Sequence, residues 1–332
     1  MTTPTMRALV LEAAGAAFVS RQLPRPVAGP GQVLVQIAAS GINPLDTKIR
    51  AGSAAHARHP MPAVLGMDLA GTVCSAGEGV ERFCVGDEVY GLTGGVAGLQ
   101  GSLAEYAAVD ADLLALKPTN LTMREAAALP LVAITAWEGL VDRARTHAGQ
   151  KVLVHGGAGG VGHVAVQIAK ALGAEVFATV SPAQFDTVRR FGATPIDRDT
   201  PVDDYVARHT GGLGFDVIYD TVGGPVLDAS FKAARLYGGH VVSALGWGTH
   251  ALAPLSFRAA TYSGVFTLLP MLTGQGRAHH GEILQQAARL VEAGRLLPLV
   301  DERRYTLDTA LQAHDEVAGG RARGKIVVDV AA

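Results

Sequence analysis

A glycine-rich turn is the segment of this sequence whose residue types and spacing predict chemistry most directly. Gly157, Gly159 and Gly162 form a G-x-G-x-x-G pattern within the sequence HGGAGGVG. The pattern lies between a buried apolar strand predicted at 151–156 and an amphipathic helix predicted at 161–173. Glycines in that position let backbone N–H groups approach a pyrophosphate at a helix N-terminus, where the helix dipole favours negative charge. The alternative is a tight turn that needs glycine only for its backbone conformation.

The turn therefore predicts a dinucleotide-binding site. The residues assigned to the pyrophosphate are Gly157, Ala158, Gly159, Gly160, Val161 and Gly162.

The end of the second predicted strand indicates which dinucleotide binds. An NAD site usually places Asp or Glu there to bond the ribose 2′-OH, whereas this strand ends in Ser181. A hydroxyl with a nearby guanidinium, here that of Arg198, suits a 2′-phosphate better. Arg189 and Arg190 are also near in sequence, although they could equally lie on the exposed face of their helix. We therefore predict NADPH as the cofactor, with use of NADH left open.

Strands and helices must alternate around this turn to position it. Apolar runs predict strands and periodic segments predict helices, in a βαβαβαβ order that implies a parallel sheet with helices on both faces. The predicted strands are 151–156, 175–181, 215–220 and 240–246, and the predicted helices are 161–173, 183–193 and 226–237.

Short strands separated by glycines are predicted on the N-terminal side of that series. They are placed at 32–39, 68–73, 87–91 and 103–109. A capping box formed by Thr122 and Glu125 marks the change to helix. Near the other end we predict a long helix at 281–293 and a final strand at 325–330.

Composition excludes several classes of protein. Among 332 residues, 28 Lys and Arg against 30 Asp and Glu give a net charge of −2, which offers no surface for nucleic acid or an anionic membrane. Two cysteines exclude a disulfide framework and a four-cysteine zinc site. The longest apolar run, 126–137, is too short to cross a bilayer, and no targeting segment is recognisable. We therefore expect a cytoplasmic protein.

Several segments, taken together, resemble the zinc-independent medium-chain dehydrogenases/reductases of the quinone oxidoreductase and zeta-crystallin type. The segments are GINPLDTKIRAG (41–52), GMDLAGTV (66–73), VGDEVYG (85–91), the glycine-rich region (155–181), DVIYDTVGG (216–224) and GKIVV (324–328). The resemblance implies an α/β fold in which a Rossmann-type NADP-binding domain, 124–264, is inserted into a GroES-like β-rich catalytic domain. That catalytic domain would be formed by 1–123 and 265–332.

The resemblance also bears on metal chemistry. Zinc-dependent relatives have Cys where this chain has Asn43 and His-Glu where it has Met67 and Asp68. Asparagine and methionine are poor replacements for thiolate and imidazole on zinc, so no metal site is expected. The implied reaction is hydride transfer from the nicotinamide to an acceptor that is already electrophilic, such as a quinone or an α,β-unsaturated carbonyl.

Four residues near this chemistry are catalytic candidates by resemblance. Asn43 and Asp46 match a segment beside the nicotinamide, where Asn43 could donate to a developing oxyanion and Asp46 could either take part or only fix its loop. Lys48 stands where many relatives have Tyr, and could stabilise an enolate or be a simple exposed lysine. Tyr90 could line the acceptor pocket or belong to the core.

Further cofactor contacts are implied outside the glycine-rich turn. They are assigned to Thr135, Val222, Leu245, Phe266, Arg323 and Lys325. Thr135 matches a position on the nicotinamide side, whereas Arg323 and Lys325 match a stretch that contacts phosphate. Many relatives clamp the 2′-phosphate with a Lys at the position of Gln184, so Arg198 would have to supply that charge here.

The leading prediction is thus an NADPH-dependent reductase of quinones or α,β-unsaturated carbonyls. An enoyl-thioester reductase shares the fold and the hydride chemistry, and an NADPH-binding protein with little catalysis is an alternative of another class. The expected partners are a small electrophilic acceptor and a second copy in a homodimer, with neither nucleic acid nor membrane.

Overall fold

Residues 4–331 are described by the computed structural model. They form two units, each built from more than one stretch of the chain. Unit 1 comprises Met1–Leu131, Leu268–Glu292 and Pro298–Ala332, and unit 2 comprises Val132–Thr267 and Ala293–Leu297. In the sequence, the main stretch of unit 2 thus lies between two stretches of unit 1. The divisions fall after Leu131 and after Thr267, and 293–297 also belongs to unit 2.

The strands in the described part of the chain are numbered in chain order. They are β1 (Thr5–Leu11), β2 (Phe18–Pro24), β3 (Gln32–Gly41), β4 (Ala63–Val64), β5 (Asp68–Ala76), β6 (Glu88–Leu92), β7 (Tyr106–Asp110), β8 (Leu114–Leu116), β9 (Lys151–His155), β10 (Glu175–Val180), β11 (Thr194–Asp197), β12 (Val217–Asp220), β13 (His240–Ser243), β14 (Thr261–Gly264), β15 (Tyr305–Thr306) and β16 (Val327–Asp329).

The α-helices are numbered in the same way. They are α1 (Pro44–Arg50), α2 (Met123–Ala127), α3 (Pro130–Trp137), α4 (Gly160–Ala171), α5 (Phe185–Arg190), α6 (Val202–Thr210), α7 (Pro225–Ala233), α8 (Ala253–Ser256), α9 (Leu269–Thr273), α10 (Arg277–Glu292) and α11 (Ala310–Ala318).

Unit 1 is β-rich, as expected. Its larger sheet has the order β15-β16-β3-β5-β6-β8, with β7 also paired to β3, and a smaller sheet has the order β2-β1-β4. Strand β3 is central, and its register with its neighbours places Gly41 opposite both Asp68 and Val327. A Cβ at Gly41 would overlap the carbonyl oxygen of Ala127, so glycine lets α2 pack closely on β3. This packing explains why α2 belongs to unit 1.

Unit 2 is a six-stranded parallel sheet with the order β11-β10-β9-β12-β13-β14. The chain proceeds from β9 to β10 on one side and later resumes with β12 on the other, so the strand order reverses at β9. Ligands of such sheets bind at the carboxyl ends of the strands, at the point of reversal. The core on one face includes Leu153, Phe177, Phe215, Ile218 and Phe231, all at most 3% exposed.

The predicted strands and helices of both units are confirmed with small shifts at their ends. Four elements of unit 2 were missed. Strand β11 is short and contains Pro195, α6 follows a polar stretch, α8 has only four residues, and β14 has a mostly exposed sequence. Helix α7 ends at Ala233 rather than at 237, because Ala234 is extended and pairs with Phe215. Within residues 4–331, none of the helices combines the length and apolar character that a membrane span requires.

Candidate active site

The glycine-rich turn connects β9 to α4 at the point where the strand order reverses. Gly159 is the N-cap of α4, has φ −77° and ψ 179°, and is exposed. Because the N-cap is a glycine, its own residue supplies no side-chain acceptor to the first N–H groups of α4. An open helix N-terminus of this kind is suited to an anion.

Placing a Cβ atom on a glycine of the turn shows whether the residue must be glycine for the backbone to pack, or instead leaves open space. At Gly157 a Cβ would lie 2.5 Å from the Cβ of Ala178, and at Gly162 it would overlap the carbonyl oxygen of Gly156. These two glycines are needed by the turn itself. At Gly159 the nearest atom would be the Gly156 oxygen, at 3.1 Å, so the space above this residue is open. The turn therefore combines a tight backbone with a free approach at Gly159, which fits a pyrophosphate.

Ser181 and Arg198 are brought together at the carboxyl ends of neighbouring strands. Strands β10 and β11 are parallel, and the backbone N–H of Arg198 donates to the carbonyl of Val180 at 3.0 Å. The Arg198 side chain is exposed, and the Ser181 hydroxyl donates to the Gln184 side chain at 3.1 Å. Arg189 instead pairs with Asp186 on the exposed face of α5. Ser181 and Arg198 thus lie at the carboxyl ends of neighbouring strands, whereas Arg189 lies on α5 and is already paired.

Asp220 organises the loops after β12 and β13, and sequence reasoning missed it. Its carboxylate accepts the backbone N–H groups of Val222 and Gly223 at 3.1 and 3.0 Å and the Ser243 hydroxyl at 2.8 Å. The backbone N–H of Leu245 in turn donates to Ser243. The sequence feature that could have identified Asp220 is its position as an acidic residue at the end of a strand whose residues are all buried. Val222 and Leu245 thus follow β12 and β13 in loops whose backbone is held by one buried carboxylate, and their contact with the cofactor stays a prediction.

Thr135 and Phe266 also lie in unit 2. The Thr135 and Thr267 hydroxyls are 3.0 Å apart, and Thr267 donates to the Glu138 carboxylate at 3.2 Å. The backbone carbonyl of Thr135 accepts the buried Tyr219 hydroxyl. The Phe266 ring packs edge-on against Trp247, with centroids 5.9 Å apart.

A buried polar cluster in unit 1 contains Asn43, Asp46, Asp68 and Lys325, each at most 4% exposed. The Asn43 side-chain amide donates to Asp68 at 2.8 Å, and its backbone N–H donates to Asp46 at 2.8 Å. The Lys325 ammonium donates to the Asn43 side-chain oxygen and to the carbonyl of Ile42, and lies 3.5 Å from Asp68. We call these four residues the polar cluster.

Burial shifts the ionisation of the polar cluster. Desolvation raises the pKa of Asp46 to about 7, with a further increase from the Asp68 charge and a partial decrease from Asn43 and Lys325. Desolvation likewise raises the pKa of Asp68, against the opposing effects of Lys325, Asn43 and the Leu131 backbone N–H. It lowers the pKa of Lys325, although both carboxylates counteract this.

The remaining predicted residues are widely distributed in unit 1. Tyr90 is fully buried, and its hydroxyl donates to the Leu284 carbonyl at 2.6 Å, as the core alternative required. Lys48 is exposed on α1. Arg323 has an exposed side chain, and its backbone N–H donates to Asp301. Lys325 is buried and its ammonium bonds within unit 1, which argues against the predicted phosphate contact.

Metal-ligating residues do not gather in the described part of the chain. Residues 4–331 contain no group of three or more His, Cys, Asp or Glu side chains that could hold a metal ion.

Two family models match this sequence. The alcohol dehydrogenase GroES-like domain matches residues 29–119, and a model described as zinc-binding dehydrogenase matches residues 191–328.

Curated relatives with assigned activities match most of the chain. A 2-methylene-furan-3-one reductase of Solanum lycopersicum is 37% identical over 90% of this chain and 71% of its own length. The chloroplastic NADPH-dependent alkenal/one oxidoreductase of Arabidopsis thaliana is 35% identical over 90% and 72%. The chain also matches the spectinabilin polyketide synthase system protein NorB of Streptomyces orinoci at 37% identity over 90% of its length, but spans only 13% of that protein.

Solved structures share the fold. An alcohol dehydrogenase superfamily protein from Novosphingobium aromaticivorans has a TM-score of 0.97 and 60% identity, covering 98% of this chain and all of the other. A quinone oxidoreductase from Coxiella burnetii has a TM-score of 0.82 and 27% identity, covering 99% and 100%.

The parallel sheet with its glycine-rich turn and the GroES-like unit confirm the predicted fold class. The activities of the relatives identify the protein as an oxidoreductase. The chain belongs to the medium-chain dehydrogenase/reductase family.

Proposed function

We propose that the protein is an NADPH-dependent reductase that transfers hydride to an α,β-unsaturated carbonyl or a quinone. The observation that carries this proposal is the open N-terminus of α4, with Ser181 and Arg198 at the carboxyl ends of β10 and β11. The helix N-terminus suits a pyrophosphate, and the hydroxyl and guanidinium suit a 2′-phosphate. The assigned activity of the Arabidopsis relative supports the same cofactor and acceptor class, and that of the Solanum lycopersicum relative supports the same acceptor class.

Bound NADPH supplies the hydride, and the protein supplies position and electrostatics. The N–H groups at the start of α4 bind the pyrophosphate, and Asp220 holds the backbone of Val222 and Leu245 in place beside the carboxyl ends of the strands. Asn43 is proposed as a hydrogen-bond donor to the acceptor oxygen as negative charge develops there. Its side-chain nitrogen carries two hydrogens, and Asp68 accepts from this nitrogen.

An acceptor screen at fixed NADPH tests the proposed function. We expect NADPH oxidation with 9,10-phenanthrenequinone or with a short enone such as 3-penten-2-one. Absence of turnover with every quinone and enone, together with tight NADPH binding, would identify a binding protein instead.

A second candidate is favoured by the match to a polyketide synthase system protein. Including crotonyl thioesters in the same screen tests an enoyl-thioester reductase, for which turnover of the thioester would exceed that of every free enone.

The homodimer and the cytoplasmic location stay predictions, and gel filtration tests the first of them.

Arg198→Ala is expected to weaken NADPH binding about tenfold, because it removes a charged partner of the 2′-phosphate. NADH affinity should stay the same, since NADH lacks that phosphate. Titration of both cofactors by protein fluorescence measures the two dissociation constants. Arg189→Ala is the matched control, because Arg189 is an exposed arginine already paired with Asp186. Equal losses for NADPH and NADH in Arg198→Ala would contradict the assignment.

A further inference from the structure

Lys325 lies in a setting that its predicted phosphate contact does not explain. The residue is 4% exposed, and its ammonium bonds to Ile42 and Asn43 and lies 3.5 Å from Asp68, all within unit 1. A buried ammonium is costly unless it is paired and hydrogen-bonded, and here it is both. Three strands of one sheet bring these groups together, because β16 follows Lys325, β3 precedes Asn43 and β5 begins at Asp68.

The Asn43 amide can adopt only one orientation between these charges. Its oxygen accepts from the Lys325 ammonium, and its nitrogen donates to the Asp68 carboxylate. A flipped amide would place the NH2 group against the ammonium and the oxygen against the carboxylate, so both contacts would become repulsive. Lys325 and Asp68 together therefore fix the direction in which Asn43 donates.

The charges of the polar cluster balance only if one carboxyl group is protonated. Two carboxylates and one ammonium would leave a net negative charge in a buried site. Asp68 lies near the ammonium and also accepts the Leu131 backbone N–H at 2.9 Å. Asp46 instead has one carboxylate oxygen that is buried without a hydrogen-bond partner. The charge pair is thus Lys325 with Asp68, and burial favours the protonated form of Asp46.

We propose that Lys325 is a positioning residue of the reductase, whose ammonium holds the Asn43 amide in its donating orientation and neutralises Asp68. This inference rests on the proposed function, in which Asn43 donates to the acceptor oxygen. It replaces the phosphate contact predicted for Lys325, and the two roles are expected to change different measured constants. A positioning residue affects kcat, whereas a phosphate contact affects the dissociation constant of NADPH.

Two variants separate these roles from a merely structural one. Lys325→Met keeps the length of the side chain and removes its charge, and Lys325→Met with Asp68→Asn removes both charges. Lys151→Met is the matched control, because Lys151 bonds to the His209 carbonyl and lies 3.5 Å from Glu175 in unit 2. Each variant is measured for Tm, for the NADPH dissociation constant, and for kcat and KM with the best acceptor of the screen.

We expect Lys325→Met to lower Tm by roughly 5 °C or more, because Asp68 loses its counter-charge. The double variant should recover most of that loss. Both should bind NADPH within about twofold of the wild type and lose at least about tenfold in kcat, since both remove the ammonium that holds the Asn43 side-chain oxygen. Lys151→Met should leave kcat unchanged.

Several outcomes would overturn the inference. A tenfold weaker NADPH affinity with unchanged kcat would restore the phosphate contact. Recovery of both Tm and wild-type kcat in the double variant would show a structural role alone. If the wild type reduces no acceptor, the proposed function fails instead. In that case an unchanged Tm in Lys325→Met would still refute the charge pair.

Discussion

Gly159→Ala is expected to weaken NADPH binding at least about tenfold while changing Tm by less than about 2 °C. Gly159 has φ −77° and ψ 179°, which an L-residue adopts without strain, and an added Cβ would approach only the Gly156 oxygen, at 3.1 Å. The methyl group would nevertheless occupy the open space at the N-terminus of α4. Titration with NADPH and a thermal melt of the same preparation measure the two effects.

Gly162→Ala is the control for this prediction. A Cβ there would overlap the Gly156 carbonyl oxygen, so this variant should lose several degrees of Tm whether or not a nucleotide binds. Comparing the two variants therefore distinguishes a glycine needed for ligand binding from one needed for the backbone conformation of the turn. Unchanged NADPH affinity in Gly159→Ala would show that the glycines of this turn serve backbone conformation only.

The parallel sheet of unit 2 could be predicted because short, continuous segments of the sequence define most of its strands and helices. Strands such as β9 and β12 are buried along nearly their whole length and therefore read as continuous apolar runs. The glycine-rich turn is equally local, since its strand, glycines and helix are consecutive in sequence. Strand β11 escaped prediction because its four residues, which include Pro195, lack a β-pattern of their own. Its pairing with β10 determines its conformation.

The arrangement of the polar cluster could not be predicted, since it depends on pairings between distant residues. Lys325 and Asn43 are 282 residues apart in sequence and meet through the order of β16, β3 and β5. Motif comparison identified both positions but assigned Lys325 to a phosphate, because a motif carries no record of what surrounds a side chain. Asp220 was missed for the same reason, as its four hydrogen bonds to loop and strand residues exist only in the folded sheet.

Asp46→Asn is expected to stabilise the protein, and to do so by more at pH 8 than at pH 5. The pKa of Asp46 is raised from 3.8 to about 7, mainly by burial. Between these values the native state holds a proton that the unfolded state has released, so the free energy of unfolding falls as pH rises through this window. The loss is at most about 1.4 kcal/mol per pH unit. Above pH 7 the wild type therefore carries the full cost of a buried charge, which asparagine avoids.

The measurement is the Tm difference between Asp46→Asn and the wild type at pH 5 and pH 8. Taking the difference cancels the contributions of groups that both proteins share, including Asp68 and Lys325, which face Asp46. The side-chain oxygen of asparagine can still accept the Asn43 backbone N–H, so the start of α1 is retained. Asp301→Asn is the matched control of opposite sign, because its contacts with Arg303 lower the pKa of Asp301. That variant should be destabilised at both pH values. A comparable loss in Asp46→Asn would show that Asp46 is ionised in the native state and that its charge stabilises the polar cluster.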